Sequence, residues 1–165
     1  MIVRVADGMA AWDGGAARCA VGRAGTTAAA DKREGDGATP TGRYPFRCVL
    51  YRADRGPEPE TALPAATIRQ DDGWCDDPAD PAYNRPVRLP YPASAEDMWR
   101  EDGLYDIVVV IGHNDDPPVP GMGSAIFVHC AAPDYATTAG CVALAKDDLR
   151  ALVATLAPGD EIEIG

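Results

Sequence analysis

Cys141 stands in the run Thr137-Thr138-Ala139-Gly140-Cys141-Val142-Ala143-Leu144, twelve residues after His129, which closes the apolar run Ala125-Ile126-Phe127-Val128. A strand ending in a histidine, a short polar loop and a Gly-Cys pair ahead of an expected helix is a common way to assemble a cysteine nucleophile. The strand fixes the base, and the glycine lets the backbone turn so that the thiol faces substrate. A thiol near its ordinary pKa of about 8.5 is mostly protonated at neutral pH, so it needs help. The chain has only two histidines, His113 and His129. His129 is therefore the natural partner, as a base or as an imidazolium beside a thiolate. Backbone N–H groups around Gly140 and Cys141 are then candidates for an oxyanion hole. Taken alone, a buried cysteine and a core histidine would write the same letters.

The bulk properties limit what such a pair could act on. At 165 residues the chain is one domain of ordinary size, able to bury a core without metal or disulfide staples. Its net charge of −11, from 15 basic and 26 acidic side chains, argues against nucleic acid and against an anionic membrane surface. The N-terminus shows no basic stretch followed by a long apolar one, and no segment has the length of a membrane span. The chain as it stands reads as cytoplasmic, or as periplasmic or wall-associated if a leader has been removed. Five cysteines (Cys19, Cys48, Cys75, Cys130 and Cys141) cannot all pair and show no CxxC spacing. Cys19 and Cys48 read as small buried hydrophobes, and Cys141 as the free thiol. No metal and no cofactor are expected, because His129, Cys130 and Cys141 lack the paired spacing of zinc ligands.

Several elements must position the pair. Ile2 to Val5 alternates as a first strand, Ala17 to Gly22 resembles a second, and Tyr44 to Tyr51 reads as a third. Residues 52–92 hold many prolines and little periodicity, and read as an irregular excursion serving as a lid or substrate wall. Trp74, Tyr83 and Asn84 punctuate it, as ligand contacts or as pins for the loop. Ser94-Ala95-Glu96-Asp97 resembles a capping box opening a short helix through Met98 and Trp99. Asp106 to Ile111 reads as a buried strand, Ala125 to His129 as the next, and residues 146–156 as a helix on the spacing of Leu149, Leu152, Val153 and Leu156. Glu161 to Ile164 alternates as a final strand. The sum is a mostly β (α+β) domain with two short helices.

Three of these segments, in this order, carry a resemblance. Thr39-Pro40-Thr41-Gly42-Arg43-Tyr44, the histidine closing a late strand and the Thr138-Ala139-Gly140-Cys141-Val142 segment resemble the YkuD-type L,D-transpeptidase catalytic domain. The resemblance runs from about residue 36 to the C-terminus. It implies a YkuD-like fold, with β-sheets forming a sandwich-like core, and a cysteine acyl-enzyme acting on peptidoglycan stem peptides or muropeptides. It also implies Cys141 as nucleophile, His129 as base, the Cys130 backbone carbonyl as the group orienting the imidazole, and the Gly140 and Cys141 amides as oxyanion donors. The chain departs from the family pattern at Ala139, Cys130 and Ala143, where many members place a polar residue, glycine or serine, and arginine or asparagine.

Substrate recognition must then come from elsewhere. Arg43, Arg85 and Arg88 are the candidate carboxylate binders. Trp74, Tyr83, His113 and Asn114 are candidate contacts, the last two equally explained as a loop histidine and an Asn stabilising its own turn. The expected reaction is cleavage of the bond between an L-centre and D-alanine in a tetrapeptide stem, with water as the favoured acceptor and a muropeptide-recycling role. Cross-linking onto a second stem is the alternative, and a non-catalytic fragment-binding module a further one.

Overall fold

The computed structural model describes residues 1–165. Two antiparallel turns link the first three strands, β1 (Ile2–Ala6), β2 (Met9–Trp12) and β3 (Gly15–Ala20). A short strand β4 (Thr26–Ala28) runs parallel to the start of β5 (Thr39–Tyr51), which at 13 residues is far longer than its neighbours. Three short strands follow in the segment expected to be irregular, β6 (Ala65–Thr67), β7 (Asp72–Cys75) and β8 (Pro86–Arg88). Then come β9 (Ala95–Asp97), β10 (Ile107–Ile111), β11 (Phe127–Cys130), β12 (Val142–Leu144), the helix α1 (Lys146–Val153) and β13 (Glu161–Ile164).

The core is a closed barrel rather than the sandwich expected from the resemblance. Strands follow one another in the order β10-β11-β12-β3-β2-β1-β13-β5, and β5 pairs back onto β10. Closure comes from the length of β5: residues 42–45 pair with β13 and residues 46–51 with β10, with a register shift between Val110 and Ile111. A strand that changes partner halfway along joins two sheets into one ring, which removes edges that would otherwise be exposed.

The second helix is absent. Ala95–Asp97 is strand β9, paired antiparallel to β7 with Trp74 opposite Glu96. The side chains that looked like a cap have other tasks: Glu96 accepts from Tyr105 Oη, and Asp97 accepts the Trp99 N–H at 2.8 Å. Local capping chemistry gave way to pairing with a neighbouring strand. β8, β7 and β9 form a separate small sheet, so residues 52–92 carry strand structure of their own. Only α1 remains helical; it buries Leu149, Leu152 and Val153, and no helix is long and apolar enough to cross a membrane.

The inward faces of the ring and the apolar face of α1 make one cluster of 23 buried residues. A second cluster of 9, including Trp74, Tyr105, Phe127 and Cys141, lies on the other side of the β10–β11 wall. Strand alternation assigns the sides. In β10, Ile107, Val109 and Ile111 belong to the first cluster, and Val108 and Val110 to the second.

Candidate active site

The same alternation places the expected pair. In β11, Val128 and Cys130 point into the barrel, which leaves Phe127 and His129 on the outer face. β12 runs parallel beside it, with His129 opposite Ala143, and its Val142 and Leu144 also point inward. Ala143 and the preceding Cys141 therefore share the outer face with His129, and all three line one cavity of about 500 Å³. Cys141 leads into a strand, not a helix. No helix N-terminus faces the thiol, and α1 begins only at Lys146.

Gly140 is required where it stands. Its φ is +141°, and a Cβ there would lie 2.9 Å from the Ala38 carbonyl oxygen. That close approach belongs to a packed support: Thr39 is fully buried and accepts the Gly22 N–H at 2.8 Å, while Arg23 N–H donates to the Thr138 carbonyl at 2.9 Å. Ala38 and Thr39, at the start of β5, thus back the thiol turn. Thr138 Oγ1 completes it by donating to the Cys141 carbonyl at 2.6 Å and accepting the Gly140 N–H at 3.1 Å. The Gly140 amide, expected as an oxyanion donor, is thereby engaged, whereas the Cys141 amide has no partner within the protein.

The thiol itself makes two hydrogen bonds. Cys141 Sγ donates to the Ala125 carbonyl at 3.2 Å and accepts the Phe127 N–H at 3.3 Å. Burial pushes its pKa up to about 12, and the Glu96 carboxylate adds to the rise. His129 is equally enclosed. Its Nδ1 lies 2.8 Å from the Cys130 carbonyl, an acceptor only, so Nδ1 carries the proton and Nε2 is left with its lone pair. Burial depresses the imidazole to about 4, against the smaller opposing effect of that carbonyl. At neutral pH the cleft therefore holds a protonated thiol and a neutral imidazole. The Tyr105 ring stands edge-on to His129 at 5.3 Å between centroids.

Charge is distributed unevenly around the cavity. Glu34, Asp76 and Glu96 supply acid, and Arg23, Lys32 and Arg100 supply base. Lys32 pairs with Asp36, and Arg100 with Asp102 and Glu96. Arg23 has no ion-pair partner, and Asp76 Oδ1 is buried without a hydrogen bond. No three His, Cys, Asp or Glu side chains come together as a metal site.

None of the residues expected to contact substrate lines this cavity. Arg43 faces β13 and pairs with Glu163 and Glu161; Arg88 pairs with Asp71 and Asp72. Arg85 is exposed at a separate small hollow. Trp74 is buried with Nε1–H donating to Asn84, and Tyr83 bonds Glu34 and Gly123. His113 Nε2 bonds the Met122 carbonyl, and Asn114 ties down its loop through Val119 and Gly123. Sequence reasoning missed Arg23, Glu34 and Glu96, which come from loops and a strand distant in the chain and carried no motif. The Cys130 thiol does not join the base: it points into the barrel and has only the Ile107 carbonyl, at 3.9 Å.

A family model described as the L,D-transpeptidase catalytic domain, YkuD, matches residues 1–164. No curated protein and no solved structure matches the chain.

Proposed function

We propose that this chain, which belongs to the YkuD family of L,D-transpeptidase catalytic domains, releases D-alanine from tetrapeptide stems of soluble muropeptides and passes the acyl group to water. Membership carries the coarser function: cysteine-dependent acyl transfer of the L,D-transpeptidase type on peptidoglycan. The observation that supports Cys141 and His129 as the acting pair is that they reach one cavity, His129 from β11 and Cys141 from the turn that enters the parallel strand β12.

In this reading Cys141 Sγ attacks the carbonyl carbon of the L-centre while His129 Nε2 takes the thiol proton. The oxyanion forms against the free Cys141 amide. The C–N bond to D-alanine then breaks as His129 returns the proton to the departing amine. Water next adds to the thioester, giving its proton to His129, which hands it back to sulfur as the tripeptide leaves. Arg23, the cleft cation with no ion-pair partner, receives a substrate carboxylate. A cavity of about 500 Å³ suits one peptide ligand, and hydrolysis needs no second one.

Cross-linking is the second reading. The unpartnered Asp76 Oδ1 in the cleft wall favours it, as a group able to accept from an incoming amine. Incubation with tetrapeptide muropeptides at high concentration, followed by mass analysis, separates the two. Tripeptides with free D-alanine are expected, and a majority of dimers would overturn the hydrolytic reading.

A further inference from the structure

Asn84 belongs to none of the catalytic elements, yet its side chain is only 5% exposed and every hydrogen-bonding position on its amide is filled. Oδ1 accepts from Trp74 Nε1–H at 2.9 Å and from the Ala125 N–H at 3.0 Å. Nδ2 donates to the carbonyls of His113 at 3.1 Å and Asn114 at 2.8 Å. Two donors meet the oxygen and two acceptors meet the nitrogen, so the amide fits one way round only.

Ala125 is the informative partner. Its φ is +51°, a left-handed conformation that a side chain other than glycine rarely adopts and keeps only where its surroundings hold it. In that conformation its carbonyl receives the Cys141 thiol proton at 3.2 Å. The other contact to sulfur, the Phe127 N–H, belongs to a residue whose register is set by Val110 in β10 and which Asn84 does not touch through its amide.

We infer that Asn84 is a positioning residue for the Cys141 thiol: by gripping the Ala125 amide it holds the Ala125 carbonyl against the sulfur, keeping the thiol aimed within the cleft. The inference rests on Cys141 being the nucleophile of the proposed reaction, but it concerns the thiol and not the identity of the substrate.

Removing the grip takes an acceptor away from the S–H while leaving the Phe127 donor in place. Asn84→Ala should therefore ionise Cys141 more readily and yet turn over more slowly. The test is iodoacetamide alkylation of the full chain across pH, followed at the Cys141 peptide by mass spectrometry, beside steady-state kinetics. The other groups around the sulfur are the same in both proteins: Glu96 from β9, His129 from β11, Tyr105 ahead of β10, and Lys32 and Arg100 at the rim. A shift between variants consequently reports the carbonyl. The expected result is an alkylation midpoint lower by roughly one pH unit. With it goes a fall in kcat of up to about 100-fold at nearly constant KM. A folded Asn84→Ala protein with an unmoved midpoint would overturn the inference, even if its melting temperature dropped. Should that variant not fold, Trp74→Phe decides: it withdraws one of the two donors on Oδ1 and should move the midpoint the same way by less, and no movement refutes the role. A wild-type protein that alkylates as expected but leaves tetrapeptides untouched would count against the proposed reaction alone.

Discussion

Cys130 and Cys141 sit on opposite sides of one barrel wall, both buried and both with pKa values pushed up, to about 11 and about 12. Burial therefore does not distinguish them. What differs is what each sulfur meets. Cys130 is packed among the 23 residues of the barrel interior, with one weak acceptor at 3.9 Å. Cys141 has a donor, an acceptor and an open cavity shared with an imidazole. The two thiols differ in the side of the wall they occupy, and one residue of register separates a core position from a cleft position.

Substitution at the two sites is the strongest way to break that contrast. Cys141→Ala and His129→Gln should each lower turnover by about 10⁴-fold or more, without additivity in the double variant, because the two groups share one proton transfer. Cys130→Ala should keep activity within about twofold. Near-normal release of D-alanine by Cys141→Ala would end the mechanism.

The next effect is on stability in acid. His129 titrates at about 4 in the fold, below the ordinary histidine value of 6.5. The unfolded chain then holds the proton more tightly, so stability is full above pH 6.5 and is lost as pH falls towards 4. The loss attributable to this group is roughly 3 kcal/mol. Denaturant midpoints of wild type and His129→Gln across that window give it as a difference, with the carboxylates and His113 cancelling. Parallel curves would contradict the buried, neutral imidazole.

Smaller effects sharpen the contrast at the rim. Arg23→Gln should raise KM about three- to tenfold with kcat held, since an exposed cation is partly screened by solvent. Arg43→Gln, on the far side of β5, should leave KM unchanged, and equal effects from both would remove Arg23 from the site. Smallest of all, Cys130→Ala should cost about 1 kcal/mol of stability, read from chemical denaturation, as the loss of one buried sulfur.

The sequence pointed to Cys141 and His129 because residue type and short spacing along the chain are visible in it, and the fold places both at one cavity. The cleft walls were illegible for the opposite reason: Arg23, Glu34, Glu96 and Tyr105 come from separate segments, carry no motif and share a wall only in the fold. The apparent capping box at Ser94 to Asp97 misled because the same small and acidic residues serve equally well in a paired strand that turns at its end. The sequence showed residues 44–51 as a strand, but neither that β5 begins at Thr39 nor that it would serve two partners. That double pairing is what makes a barrel of an expected sandwich.

The two-partner strand also governs when the fold can be completed. Residues 42–45 of β5 wait for β13 at residues 161–164, and β13 in turn lies beside β1. On a ribosome the first 150 residues can build hairpins and the small β8-β7-β9 sheet, but the ring stays open until that last strand has emerged. Contacts of such long sequence separation slow folding and leave strand edges exposed meanwhile. Closure of the ring is thus a late step, and a nascent chain stalled before residue 161 carries Cys141 without the closed barrel behind it.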